Sequence, residues 1–194
     1  MKRFFNELWC NKLVMKTIRA KISVILIAVL ITGSCKKNVV INEKQAILFQ
    51  VDFVNYAREY VHSGFIIDNQ GRILTYNNPQ TWNFPDKDFI LKENQVRENL
   101  RYCLNTGKKI TKEELEKYAS HIKNISSSEV TASKNVSADE GSIEYICYQF
   151  HEDSGIYRGF LIKTEGDFTR ENLNFFAKKV ISWLKNINDT LVKK

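Results

Sequence analysis

The chain has 194 residues, 43% of them hydrophobic and 26% charged, with only 8 Gly and 2 Pro. That composition supplies one globular core with room for a targeting segment, and it excludes a disordered chain. The net charge of +7 invites a nucleic-acid reading, but six of the 29 basic residues and one of the 22 acidic ones precede Cys35; the remainder is near balance, and no nucleic-acid partner is expected.

From Met15 the chain reads MKTIRAKISVILIAVLITGSC. Lys16, Arg19 and Lys21 form a positive start, Ile22 to Ile31 an apolar run, and Thr32, Gly33 and Ser34 a small-residue exit, the architecture of a secretory signal peptide. The apolar run is about half the length that a membrane-spanning helix needs. Met15 is the expected start, with residues 1–34 as the signal segment. Ile31-Thr32-Gly33-Ser34-Cys35 resembles the lipobox of bacterial lipoproteins, with Thr32 where that family usually carries Leu. The resemblance implies a diacylglyceryl group on the Cys35 thiol, cleavage before Cys35 and acylation of the new amino terminus. A single acyl chain holds only marginally, whereas three anchor durably. Lys36 follows the cysteine, not the Asp that retains some lipoproteins at the inner membrane, so the resemblance implies an envelope protein of the outer membrane, held by its N-terminal lipid.

Residues 35–45 form the lipidated cysteine and a polar tether, and 46–194 a single domain. Ile47, Phe49, Val51 and Phe53 recur with period two, which predicts a strand running toward Tyr60. Val54, Ala57, Tyr60 and Val61 also have helical spacing, and the strand is preferred. Two β-rich runs, His62–Asp68 and Arg72–Tyr76, flank Asn69-Gln70-Gly71 as a hairpin. Asn77 to Leu91 reads as loop, and Glu93–Asn105 as a helix stopped by Gly107. Thr111-Lys112-Glu113-Glu114 is a capping box ahead of a helix that aligns Leu115, Tyr118, Ala119, Ile122 and Ile125. Ser126–Ser142 is a polar loop, with or without one edge strand. Ile143–Phe150 and Ile156–Thr164 form a second hairpin, and a final helix runs from about Thr169 to Ile187 with Leu173 and Phe176 in its apolar stripe. The class is α+β: an antiparallel sheet of about five strands, two hairpins plus an N-terminal strand, with about three helices on one face.

Chemistry is sparsely marked. Cys103 and Cys147 are the thiols left after lipidation, and in an oxidising compartment they are candidates for a disulfide or for two buried hydrophobes. His62, His121 and His151 share no ligand spacing, so no metal and no cofactor is expected. Asp86 and Asp88 lack the Gly and Glu of a calcium loop and read as turn residues. The aromatics Tyr76, Trp82, Phe84 and Phe89 either offer a binding surface for a glycan or envelope protein or fold back over the sheet. The leading expectation is a small lipid-anchored, non-catalytic binding or interaction module. The alternatives are a periplasmic immunity-type inhibitor and an envelope hydrolase whose site gathers distant residues such as His62, Asp68 and His151.

Overall fold

The computed structural model describes residues 41–57 and 60–192, and the leader with Cys35 lies outside them. Among the described residues, nine strands and four helical segments follow one another: β1 (Ile47–Asn55), β2 (Val61–Asp68), β3 (Arg72–Asn77), β4 (Ile90–Lys92), α1 (Glu93–Arg101), β5 (Leu104–Lys109), α2 (Lys112–Ala119), α3 (Ile122–Ser126), β6 (Lys134–Asn135), β7 (Ser142–His151), β8 (Ile156–Gly166), β9 (Phe168–Glu171) and α4 (Phe175–Val192). Every strand pairing is antiparallel. The order is β5-β3-β2-β1-β7-β8-β9-β6, with β4 also on β8.

The N-terminal strand and the two hairpins form the centre of this sheet. The β-content of those runs explains why: their β-branched and aromatic residues suit a pleated surface that is buried on both sides. β1 lies between β2 and β7, so neither of its edges meets solvent. Four short strands widen the expected sheet of five to nine. They are two to six residues long, and β5, β6 and β9 are polar and half-exposed. Short edge strands of this kind carry no apolar alternation from which they could be read.

Two of these replace expected helix. α1 stops at Arg101, and Leu104–Lys109 pairs with β3. Phe168–Glu171 pairs with β8, so the last helix begins at Phe175 and leaves Leu173 exposed outside it. The helix expected behind Thr111 is divided at Ser120-His121 into α2 and α3. Thr111 does cap α2, its hydroxyl accepting from the Glu114 amide at 3.2 Å. The Glu114 carboxylate accepts instead from Trp183 Nε1 at 2.8 Å, tying α2 to α4.

The sheet is covered on both faces, not one. On the helix face, Phe49, Val51, Phe65, Ile67 and Cys147 pack under α2, α3 and α4. Trp183 meets Phe49 edge-on at 5.2 Å and stacks on Tyr118 at 4.1 Å. On the opposite face, Ile66, Tyr76, Ile146, Tyr148 and Tyr157 form a second core with Val96 of α1 and Leu91 of β4. The loop between β3 and β4 contributes Trp82 and Phe89 to this loop face. A register shift between Ile47 and Phe49 sends Ile47 to the loop face while Leu48 and Phe49 both join the helix face. Among the described residues, no helix is long and apolar enough to cross a membrane.

Candidate functional site: a buried polar row beside an acidic pocket

Cross-strand register assembles the site. On the loop face Tyr76 of β3 pairs with Gly64 of β2, Gly64 with Asp52 of β1, Asp52 with Glu144 of β7, Glu144 with Thr164 of β8, and Thr164 with Arg170 of β9. Residues directly opposite in an antiparallel pair share a face with Cβ atoms about 5 Å apart. One line of polar residues thus crosses six strands at a single level. Asp52 is 7% exposed and Thr164 4% exposed.

Asp52 is the hub. His62 Nε2 lies 2.8 Å from its Oδ1, and the Tyr76 hydroxyl donates a short hydrogen bond to the same oxygen. Tyr76 in turn accepts from Gln50 Nε2 at 3.0 Å, and the Tyr148 hydroxyl donates to Gln50 Oε1 at 2.7 Å. Burial first, then the nearby Asp52 carboxylate, hold both tyrosine hydroxyls well above the usual phenol range. They therefore stay protonated and remain donors. Gly64 makes the arrangement feasible, because with no side chain it lets the Tyr76 hydroxyl pass over β2 to Asp52.

His62 is wholly buried. Its ring packs among Tyr76, Trp82 and Phe84 at centroid distances of 5.1, 5.2 and 5.0 Å. Its backbone is clamped by Asn78, whose Oδ1 accepts from the His62 amide and whose amide donates to the His62 carbonyl, each at 2.7 Å. With Nε2 directed at Asp52, Nδ1 has no partner; Thr164 Oγ1 and Arg170 Nε are also unpartnered. Buried polar atoms are normally satisfied, and among the described residues all three exceptions fall in this row or beside it.

The row opens into a cavity of about 480 Å³ lined by Asp52, Glu144, Asp167, Tyr56, Phe84 and Phe168, among others. Burial raises the Glu144 carboxyl above the usual range; Asp52 adds to the rise and Arg170 opposes it. Asp167 is held at the rim, its oxygens accepting from the amides of Glu140 at 2.9 Å and Gly141 at 3.1 Å. Tyr56, Phe84 and Phe168 are 74%, 41% and 47% exposed, an unusual loss of apolar burial concentrated at one mouth. Among the described residues, no group of three His, Cys, Asp or Glu stands close enough to hold a metal ion. His62 is not part of the cavity wall, so the wall offers carboxylates and rings but no imidazole.

The residues singled out from sequence are dispersed around this site. Tyr76 is 3% exposed and belongs to the polar hub, Trp82 packs on it with tilted rings 4.2 Å apart, Phe84 lines the cavity, and Phe89 packs against the loop-face core. Asp68 is spent on the β2–β3 turn, its Oδ1 accepting from the amides of Gln70 and Arg72. His151 is exposed at the end of β7. Six residues of extended strand, roughly 20 Å, separate His62 from Asp68, so His62, Asp68 and His151 do not converge. Cys103 and Cys147 are free thiols in different cores, with the sheet between them. Asp86 Oδ1 accepts from the amides of Asp88 and Ile90, which is turn chemistry.

Asp52, Gly64, Glu144, Thr164 and Arg170 were not anticipated. One signal was available: Gln50 and Asp52 alternate inside the most apolar strand, ILFQVDFV. Alternation alone reads such residues as the solvent face, and it becomes a buried polar network only because β1 is central and covered on both sides. Compared with models of known protein families, with curated proteins and with solved structures, the chain matches none.

Proposed function

We propose that this protein is a lipid-anchored envelope protein that works as a non-catalytic binding module, with the cavity over Asp52 and Glu144 as its ligand site. The observation that carries the reading is a concave, partly apolar cavity whose wall ends on the buried Asp52 and half-buried Glu144 carboxylates and whose rim exposes three aromatic rings. The domain is entered at the turn end of the sheet, where Asn42 and Lys44 bond Glu152 and the Glu43 carbonyl accepts from Asn69. The cavity lies past the far end of β1, nine residues on.

The Asp52–His62 bond favours a second reading, acid–base hydrolysis, since a carboxylate that orients imidazole is a common catalytic pair. Against it, His62 has no wall in the cavity, and a base must come within hydrogen-bond reach of the proton it takes. Two measurements test the proposal. Incorporation of labelled palmitate, lost in Cys35→Ala, is expected of the anchor; equal labelling of both chains rejects it. Native mass spectrometry of protein from its own envelope should show a small-molecule adduct that disappears in Ser142→Trp, which fills the cavity. A purified protein with no adduct in either form, and no gain in stability from envelope extract, rejects the binding site.

A further inference from the structure

The described wall of the cavity carries one sign of charge. Resting on the reading of this cavity as a ligand site, we propose that it takes an organic cation, an ammonium group with a small apolar portion. Its described wall carries Asp52, Glu144 and Asp167 and no Lys, Arg or His. Asp52 supplies an observation independent of that count. Its side chain is 9% exposed, both of its hydrogen bonds end on Oδ1, and Oδ2 has no hydrogen-bond partner among the described residues while the residue forms part of the cavity wall. Oδ2 is not among the buried unpartnered atoms, so with no protein donor on it among the described residues it is open to a cation entering the cavity. Glu144, its cross-strand neighbour, likewise has no hydrogen-bond partner among the described residues, and Arg170, two strands along the same row, is the cation that acts on it.

The rim distinguishes an organic cation from a metal ion. Metal ligation needs several oxygens converging on one point, and the described carboxylates do not converge. Tyr56, Phe84 and Phe168 instead present rings around the opening, which attract an alkylammonium through their faces and cover its apolar portion. The ammonium would sit between Asp52 Oδ2 and Glu144, with the rings around its carbon substituents.

The test uses the full chain in detergent micelles, with choline as probe and 3,3-dimethylbutan-1-ol as its uncharged isostere. Titration calorimetry and saturation-transfer NMR should show choline binding and the alcohol binding at least about tenfold more weakly, the size expected for one charge-assisted contact. Glu144→Gln should weaken choline by about the same factor and leave the alcohol unchanged, with near-ultraviolet circular dichroism intact. Free amines and the headgroup of phosphatidylethanolamine share this chemistry. Competition by vesicles containing that lipid, but not by phosphatidylglycerol vesicles, would assign the headgroup; competition only by free amine would assign a soluble ligand. Either result upholds the cation assignment. Equal binding of choline and the alcohol, or no effect of Glu144→Gln, overturns the charge requirement while leaving the cavity a binding site. Failure of both probes overturns this inference, and the adduct experiment above decides the binding site separately.

Discussion

Gly64→Ala is the most informative single change in this fold. A Cβ at that position would lie 2.0 Å from the Val51 carbonyl oxygen and 2.6 Å from the Tyr76 hydroxyl. Neither contact is tolerable, and the first is with backbone held in the central ladder. Tyr76 can retreat only by giving up its bonds to Asp52 and Gln50. Overpacking of this kind costs about 1–3 kcal/mol, and loss of a hydrogen bond to a buried carboxylate about 1.5–3 kcal/mol. The sum, roughly 3–5 kcal/mol, is a large share of the 5–15 kcal/mol that holds a typical domain together. The expected fall in Tm is on the order of 10 °C. Urea unfolding followed by tryptophan fluorescence should show a lower midpoint at unchanged slope. Tyr76→Phe alone should cost about 1.5–3 kcal/mol. In the double variant the clashing hydroxyl is already gone, so the combined loss should fall short of the sum by about 1 kcal/mol or more. A Gly64→Ala chain within about 0.5 kcal/mol of the parent, or strict additivity in the double variant, would refute the claim that Tyr76 reaches Asp52 through the space above Gly64.

Three further outcomes follow from the same geometry. Glu144 sits above the normal carboxyl range because of burial and then Asp52, so ionising it opposes folding. Its penalty grows as pH rises through the interval between the unfolded and folded values, and Glu144→Gln should be more stable than the parent at pH 7 and indistinguishable from it in acid, by urea midpoints at both pH values; a less stable Glu144→Gln at pH 7 contradicts this. His121, stacked on Phe176 at 4.2 Å, is held below the usual imidazole range by burial, then Lys179, then Lys117. The unfolded chain then binds the extra proton, so His121 removes stability as pH falls through the ordinary imidazole value, and an NMR titration should show Lys179→Met moving its midpoint upward. Burial pushes the Cys103 thiol up to about 12 and the Cys147 thiol higher still. Both should resist an aromatic disulfide reagent in the native state and react fully in denaturant without prior reduction; a need for reductant would contradict two free thiols.

Much of the strand framework is legible in the residues themselves. Period-two runs such as ILFQVDFV, and the loops at Asn69-Gln70-Gly71 and Glu152-Asp153-Ser154-Gly155, mark β1 and both hairpins, because alternation and turn chemistry are local properties of the chain. The helix-face core is legible for the same reason: Leu115, Ala119, Ile122 and Ile125, and Ala177, Val180 and Leu184, are spaced for one side of a helix. The edge strands are not. Leu104–Lys109 is polar and carries Gly107 in the left-handed region, and only its pairing with β3 makes it a strand.

The site was decided by tertiary structure alone. Tyr76, Gly64, Asp52, Glu144, Thr164 and Arg170 come from six different strands, and they align because the registers of five strand pairs agree. A slip of one residue in any pair would turn that strand's contribution to the other face. Local composition fixes which segments become the central strands, whereas register is set by how both faces of the whole sheet are covered. The class of this protein could therefore be read from its residues in order, and its polar row could be read only from the assembled sheet.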